Sequence, residues 1–230
     1  MLTISATDEW RTAHLGATIG LLELAGVENG SASEPLNQRK RQIEARLHER
    51  YKGFTRQQFL ALPVMAEYDR YYTRFNKTYH VQLQLESIVL KDKRLPDVSP
   101  AVDANFMAEV ETLILTAGHD GDKLHEPIVI DVSREGDQMT QMNGASRAIR
   151  AGDMIMRDAE GVSCSIIYGQ DARSPISPKT SRVLYVAYAP PGIAAGVVER
   201  QLQGIEENLR LVAPAITVEQ RRLVTAGGAP

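Results

Sequence analysis

Residues Ser99–Leu124 read SPAVDANFMAEVETLILTAGHDGDKL. Ser99-Pro100 is a helix entry, because a serine caps orphan amides and a proline is already set for the first turn. Val102, Phe106, Val110, Leu113 and Ile114 recur at helical spacing and form a core stripe. Gly118 is expected to end this helix in a left-handed conformation. Asp120-Gly121-Asp122 then makes a tight acidic turn. A calcium loop needs further oxygen ligands at set positions, and Leu124 stands where the next would fall. The aspartates then read as holding the turn and capping the next segment, with a direct role as the alternative.

Upstream, His14–Leu24 (HLGATIGLLEL) reads as a short buried strand, with a short helix as the alternative. Asn29-Gly30 signals a turn, and Ser31 to Pro35 a loop. Glu34 to Tyr51 reads as a charged, solvent-facing helix whose polar face carries Arg39, Lys40, Arg41, Arg46 and Arg50. Thr55 to Phe75 is helical with an interruption at Pro63. Tyr68, Tyr71, Tyr72 and Phe75 share one face there, either as core or as a surface on which bases stack. Val81 to Leu90 is a further short helix.

Downstream the pattern turns to short β-like runs: Pro127 to Val132, Met154 to Arg157 and Ser163 to Ile167. Turns are expected at Glu135-Gly136 and Glu160-Gly161. Arg182 to Ala189 (RVLYVAYA) is the clearest strand, stopped by Pro190-Pro191-Gly192. Ala194 to Val212 is helical again, and the tail ending Ala-Gly-Gly-Ala-Pro is expected to fray. The mixture indicates an α+β fold.

The 230 residues suffice for one large domain, with 24% charged and 43% apolar residues. A net charge of −3 gives no global attraction for nucleic acid, so any RNA contact needs a local basic patch. Cys164 is the single cysteine, which excludes an internal disulfide and suits a reducing compartment. The N-terminus lacks a signal-peptide pattern and no window suits a membrane span, so a soluble, cytoplasmic protein is expected.

No two of the five histidines have the spacing of a zinc-protease helix, so no metal is expected. No serine lies in a Gly-x-Ser-x-Gly elbow, and phosphate-binding glycine loops are missing. His119, in the turn after the helix, is the candidate catalytic histidine, with a surface hydrogen-bonding role as the alternative. The basic helix from Arg39 to Arg50 is either a phosphate-facing surface or a solvated face laced with glutamates.

Four stretches carry a family resemblance. They are PAVDANFMAEVETLILTAGHDGDKL, AGDMIMRDAEGVSCSIIYGQD, SPKTSRVLYVAY and, upstream, AEYDRYYTRFNKTY. In order and spacing they resemble the editing domain of the phenylalanyl-tRNA synthetase beta subunit, the B3/4 domain, and its free-standing relatives. The resemblance covers roughly residues 14 to 193. It implies a three-layer α+β fold of mixed sheets flanked by helices, preceded by a lead (1–13) and followed by a helical extension (194–230).

In the synthetases this domain hydrolyses mischarged tyrosyl-tRNA with a positioned water rather than a protein nucleophile. By resemblance, the chain is expected to be a trans-acting aminoacyl-tRNA deacylase with aminoacylated tRNA as partner and no cofactor. The alternative is a non-enzymatic module binding RNA or an amino-acid-like molecule. The family's pocket acid falls near Gln170-Asp171. Asp171 and His119 are then the expected catalytic pair, and Gln170, Asn105, Asp120 and Ala117 the expected substrate contacts. Arg39, Lys40, Arg46 and Arg50 are the expected tRNA-facing set. Ala117 stands where the family has a pocket histidine, Ser99-Pro100 replace an asparagine pair, and Gln170 replaces a glycine.

Overall fold

The computed structural model describes residues 1–30 and 33–227. In chain order the elements begin with β1 (Ile4–Ala6), α1 (Asp8–Ala13), β2 (Thr18–Ala25), α2 (Glu34–Arg50), α3 (Arg56–Leu60) and α4 (Pro63–Thr73). They continue with α5 (His80–Lys91), α6 (Pro100–Thr112), β3 (Thr116–Asp120), β4 (Ile128–Val132), β5 (Gln138–Thr140) and β6 (Ser146–Ala148). The last are β7 (Met154–Asp158), β8 (Gly161–Ser165), β9 (Gly169–Gln170), β10 (Arg182–Ala189), α7 (Ala195–Arg210) and β11 (Thr217–Thr225).

Two sheets organise the molecule. One has the order β1-β4-β7-β8-β9, with β1 parallel to β4 and the other pairs antiparallel. The other is antiparallel throughout, in the order β11-β2-β10-β3. Its central strands β2 and β10 are covered on both faces, which is why they read as nearly unbroken apolar runs. Buried Glu23 on β2 gathers the Arg182 guanidinium (Nε at 2.8 Å), the Leu2 amide (2.8 Å) and the Gln220 amide group (2.7 Å). One carboxylate thus ties β10, the N-terminus and β11 to the central strand.

Successive side chains of β10 face opposite ways. On one face Tyr185 donates its hydroxyl to the Ala101 carbonyl of α6 at 2.8 Å, and α7 packs so closely on Gly20 that a Cβ there would lie 2.6 Å from Val198. On the other face Tyr188 meets Cys164 of the first sheet. Helices, second sheet and first sheet form three layers. The aromatic face of α4 staples the sheets together. Tyr68 donates to the Tyr188 carbonyl (2.6 Å), Tyr71 to Asp153 (2.7 Å) and Tyr72 to the Ile166 carbonyl (2.7 Å). The stripe is core, not a stacking surface.

Several expectations are corrected. His14 closes α1 rather than opening a strand, and β2 starts at Thr18 because Gly16 takes φ +85° between them. α6 ends at Thr112, with Leu113 itself left-handed at φ 66°, so Gly118 is a strand residue and not a cap. The expected lead supplies β1 and α1, and the sequence after α7 supplies β11, which pairs along β2 from Thr217 to Thr225. Of the loop expected from Ser31 to Pro35, Ser31 and Ala32 lie outside the described residues, as do the last three of the tail, and Glu34 and Pro35 already open α2.

Lys40 is the largest correction. It is buried on the inner side of α2, where Nζ donates to the Pro96 carbonyl (2.9 Å), Asp103 (2.7 Å) and Asp97. All three ammonium protons have partners, so Lys40 does not face solvent or RNA. Arg46 is exposed but paired with Glu111 at 2.6 Å, while Arg50 sits over the Tyr51 ring at 5.1 Å.

Candidate active site

A cavity of about 470 Å³ opens where β3, the edge of the second sheet, approaches β8 and β9 of the first. α6 contributes Ala101, Asn105 and Phe106 to it, and β3 contributes Thr116, Ala117 and Gly118. Cys164, Ser165 and Gln170 line the facing side, with Tyr185 and Tyr188 behind. Its walls are mainly apolar, so a polar group that faces it acts with little competition from water.

Strand β3 is fixed by side chains. Asn105 Nδ2 donates to the Thr116 carbonyl (2.9 Å), and the Thr116 amide donates to Glu109 Oε1 (2.7 Å). Gln201 of α7 reaches Asn105 Oδ1 (3.3 Å) and Thr116 Oγ1 (3.0 Å). Burial pushes the Glu109 carboxyl up to about 8, so it is neutral at pH 7. Sequence reading did not find Glu109 or Gln201, whose one signal is a polar residue among apolar helix neighbours.

The antiparallel alternation has a chemical consequence at Gly118. The Tyr188 amide donates to the Leu115 carbonyl at 2.9 Å, and from that pair the inward-bonding residues of β3 are Ala117 and His119. Thr116, Gly118 and Asp120 therefore turn their amides outward. Those of Thr116 and Asp120 are taken by Glu109 and by the Ser174 carbonyl (2.9 Å). The 174–176 segment bridges this edge at His119 and Pro175, and the Gly118 amide, at a residue that lines the cavity, is left without a backbone acceptor among the described residues. A side chain there would crowd it, since a Cβ would lie 2.8 Å from Ile176 Cδ1 and 3.1 Å from the Tyr185 ring.

The cavity walls offer no activated nucleophile. Burial pushes the Cys164 thiol up to about 12, which keeps it protonated. Ser165 donates its hydroxyl to buried Asp153, and Thr116 Oγ1 is held by Gln201.

Of the residues expected from sequence, Gln170, Asn105 and Ala117 line the cavity; His119, Asp120 and Asp171 do not. Asp120 holds the turn, accepting from the Asp122 amide (3.2 Å) and from Thr180 (2.7 Å). Asp171 and His119 lie behind Gln170, joined by Ser174. Ser174 Oγ is 2.8 Å from His119 Nδ1 and 2.9 Å from Asp171 Oδ1. Arg173 Nε stands 2.7 Å from Asp171 Oδ2 without hydrogen-bond alignment. A serine, a histidine and an aspartate thus meet, but serine is in the middle and all three are buried. That arrangement differs from a nucleophilic triad, where histidine stands between the other two. Burial, with the nearby Arg173 cation adding to it, holds the His119 imidazole down at about 3, hence neutral.

A model of the B3/4 domain matches residues 67–208, a span that contains every cavity-lining residue. The chain belongs to the B3/4 domain family. This B3/4 protein is also similar to the crystal structure of an N-terminal fragment of the phenylalanyl-tRNA synthetase beta-subunit from Pyrococcus horikoshii. The TM-score is 0.48 at 8% sequence identity, with 96% of this chain and 50% of that chain covered. The B3/4 protein thus spans about half the length of that fragment. No curated protein matches it. Strands β1, β2 and β11 and helix α2 lie outside the matched span, so the matched domain is completed here by residues on both sides of it. Among the described residues, no helix is long and apolar enough to cross a membrane and no side-chain group suits a metal ion.

Proposed function

We propose that this B3/4 protein is a trans-acting aminoacyl-tRNA deacylase, in which the cavity between β3 and β9 receives the aminoacyl group. The observation that carries this reading is the outward Gly118 amide on the cavity wall. Ester hydrolysis develops negative charge on the carbonyl oxygen, and a fixed backbone N–H in an apolar site stabilises it without reorganisation. The cavity volume suits one amino-acid side chain with part of the terminal ribose.

With the thiol and hydroxyls of the wall unavailable, the nucleophile is water. Its oxygen bonds to the ester carbonyl carbon, the bond from that carbon to the ribose oxygen breaks, and the ribose oxygen takes a water proton. The products are the free amino acid and the uncharged tRNA. The role of the walls is alignment, which by itself contributes much of the acceleration in such reactions.

Gly118→Ala tests this assignment. Its methyl meets Ile176 and Tyr185 inside the cavity, so kcat/KM for a cleaved substrate should fall by about tenfold or more. The melting temperature should move by only a few degrees. Unchanged kcat/KM would place the chemistry elsewhere.

A further inference from the structure

A second cavity, of about 410 Å³, adjoins the first and shares the His80 and Phe106 side chains with it. It lies between α5 and the segment that leads into α6. The shared imidazole is held in place. Tyr72 gives its hydroxyl proton to the Ile166 carbonyl at 2.7 Å, so at the 3.3 Å contact His80 Nδ1 is the donor. Gln84 is the polar side chain on the α5 wall, and its Oε1 is buried with no hydrogen-bond partner among the described residues. A buried carbonyl oxygen left unpaired is costly, and a ligand that brings a donor removes that cost. A carboxamide also carries its acceptor and donors side by side, which matches a nucleobase edge with an amino group beside a ring nitrogen.

Lys93 and Arg94 line the same cavity and are exposed. The neighbouring acids are engaged elsewhere: Asp92 Oδ1 lies 3.4 Å from His48 Nε2, and Asp97 is taken by Lys40. Two cations beside a cleft with an aromatic ring and an unpaired amide supply what a phosphate and a stacked base require.

We infer that this second cavity binds an adenosine 5′-phosphate unit, with the amino edge of adenine on Gln84 and the phosphate on Lys93 and Arg94. The inference rests on the deacylase reading for the source of that unit, the terminal adenosine of a tRNA, which carries the ester. The ribose then lies at the divide made by His80 and Phe106, with the acyl group in one cavity and the base in the other. A free adenine nucleotide has the same chemistry.

Calorimetry of the full chain with adenosine 5′-monophosphate tests the site. Purine riboside 5′-monophosphate, which lacks the amino group, should bind about tenfold more weakly, as should adenosine, which lacks the phosphate. Gln84→Leu should erase the first difference and Lys93→Ala/Arg94→Ala the second, with melting temperatures near that of the native protein. No binding of the monophosphate at millimolar concentration would overturn the inference, as would either difference surviving its substitution. The source is read with an uncharged RNA hairpin ending in CCA and the same hairpin without its terminal adenosine. Removing that adenosine should weaken binding about tenfold, and the monophosphate should compete with the intact hairpin. Equal binding of the two hairpins would overturn the RNA-end assignment and leave a free nucleotide as the ligand. The expected binding pattern without any hydrolysis would count against the deacylase reading alone, and hydrolysis without nucleotide binding against this one alone.

Discussion

Lys40→Met removes an ammonium that holds α2 to the segment entering α6. Nζ has three partners, of which Asp103 is buried and Asp97 is largely exposed. Loss of the cation leaves the Asp103 carboxylate inside the protein with the Val98 amide, at 2.9 Å, as its remaining donor. Breaking a buried pair from one side typically costs about 3–5 kcal/mol, and the surviving Val98 bond places this case near the lower end. For a chain of this size about 3 kcal/mol corresponds to a melting temperature lower by roughly 6–12 °C. Thermal and urea unfolding followed by circular dichroism would read it. Arg46→Met is the matched control, since its pair with Glu111 is exposed and such pairs contribute about 1 kcal/mol or less. Lys40→Met/Asp103→Leu should recover most of the loss, because removing both charges avoids the unpaired carboxylate. A Lys40→Met protein melting within about 2 °C of the native one would refute the buried-pair reasoning.

Buried Glu109, pushed up to about 8, holds its proton in the folded state but releases it above about 4.5 when unfolded. Its contribution is therefore present at pH 4.5 and is lost as pH rises towards 8. Urea midpoints should fall across that window, and Glu109→Gln should flatten the fall; an identical slope in the variant would contradict it. The neutral His119, held at about 3, predicts no inflection in log kcat/KM near the ordinary imidazole range. An inflection there that disappears in His119→Gln would restore it as a base. Lys77 and Arg147 flank the Tyr168 ring at 5.9 and 5.0 Å, two residues from Gln170, and pair with no carboxylate among the described residues. Reversing both charges should weaken tRNA binding by about tenfold or more and flatten its salt dependence, while reversing Arg39 and Arg50 should change little. The opposite pattern would return the RNA interface to α2.

Local signals carried much of the architecture. Ser99-Pro100 did open a helix, Pro63 did separate two, and the run RVLYVAYA is β10 to the residue. What failed to show was tertiary. Lys40 reads as a surface residue because its two carboxylates arrive from 57 and 63 residues away. β11 reads as a tail because an edge strand with four charged or amide side chains acquires its meaning from β2. Of the residues expected as substrate contacts, Gln170, Asn105 and Ala117 lie on the cavity wall. The outward amide of Gly118 and the Gln201 brace depend on strand register and on a helix some hundred residues downstream. No periodicity encodes those.

The most direct test is deacylation itself. Native protein in excess should be mixed with tRNAs each carrying a labelled non-cognate amino acid, and release of label followed against the spontaneous rate. The expected result is release from at least one mischarged tRNA, well above the uncatalysed background and strongly slowed by Gly118→Ala. Background rates across the whole panel, from a protein that is folded and binds the same tRNAs, would contradict it.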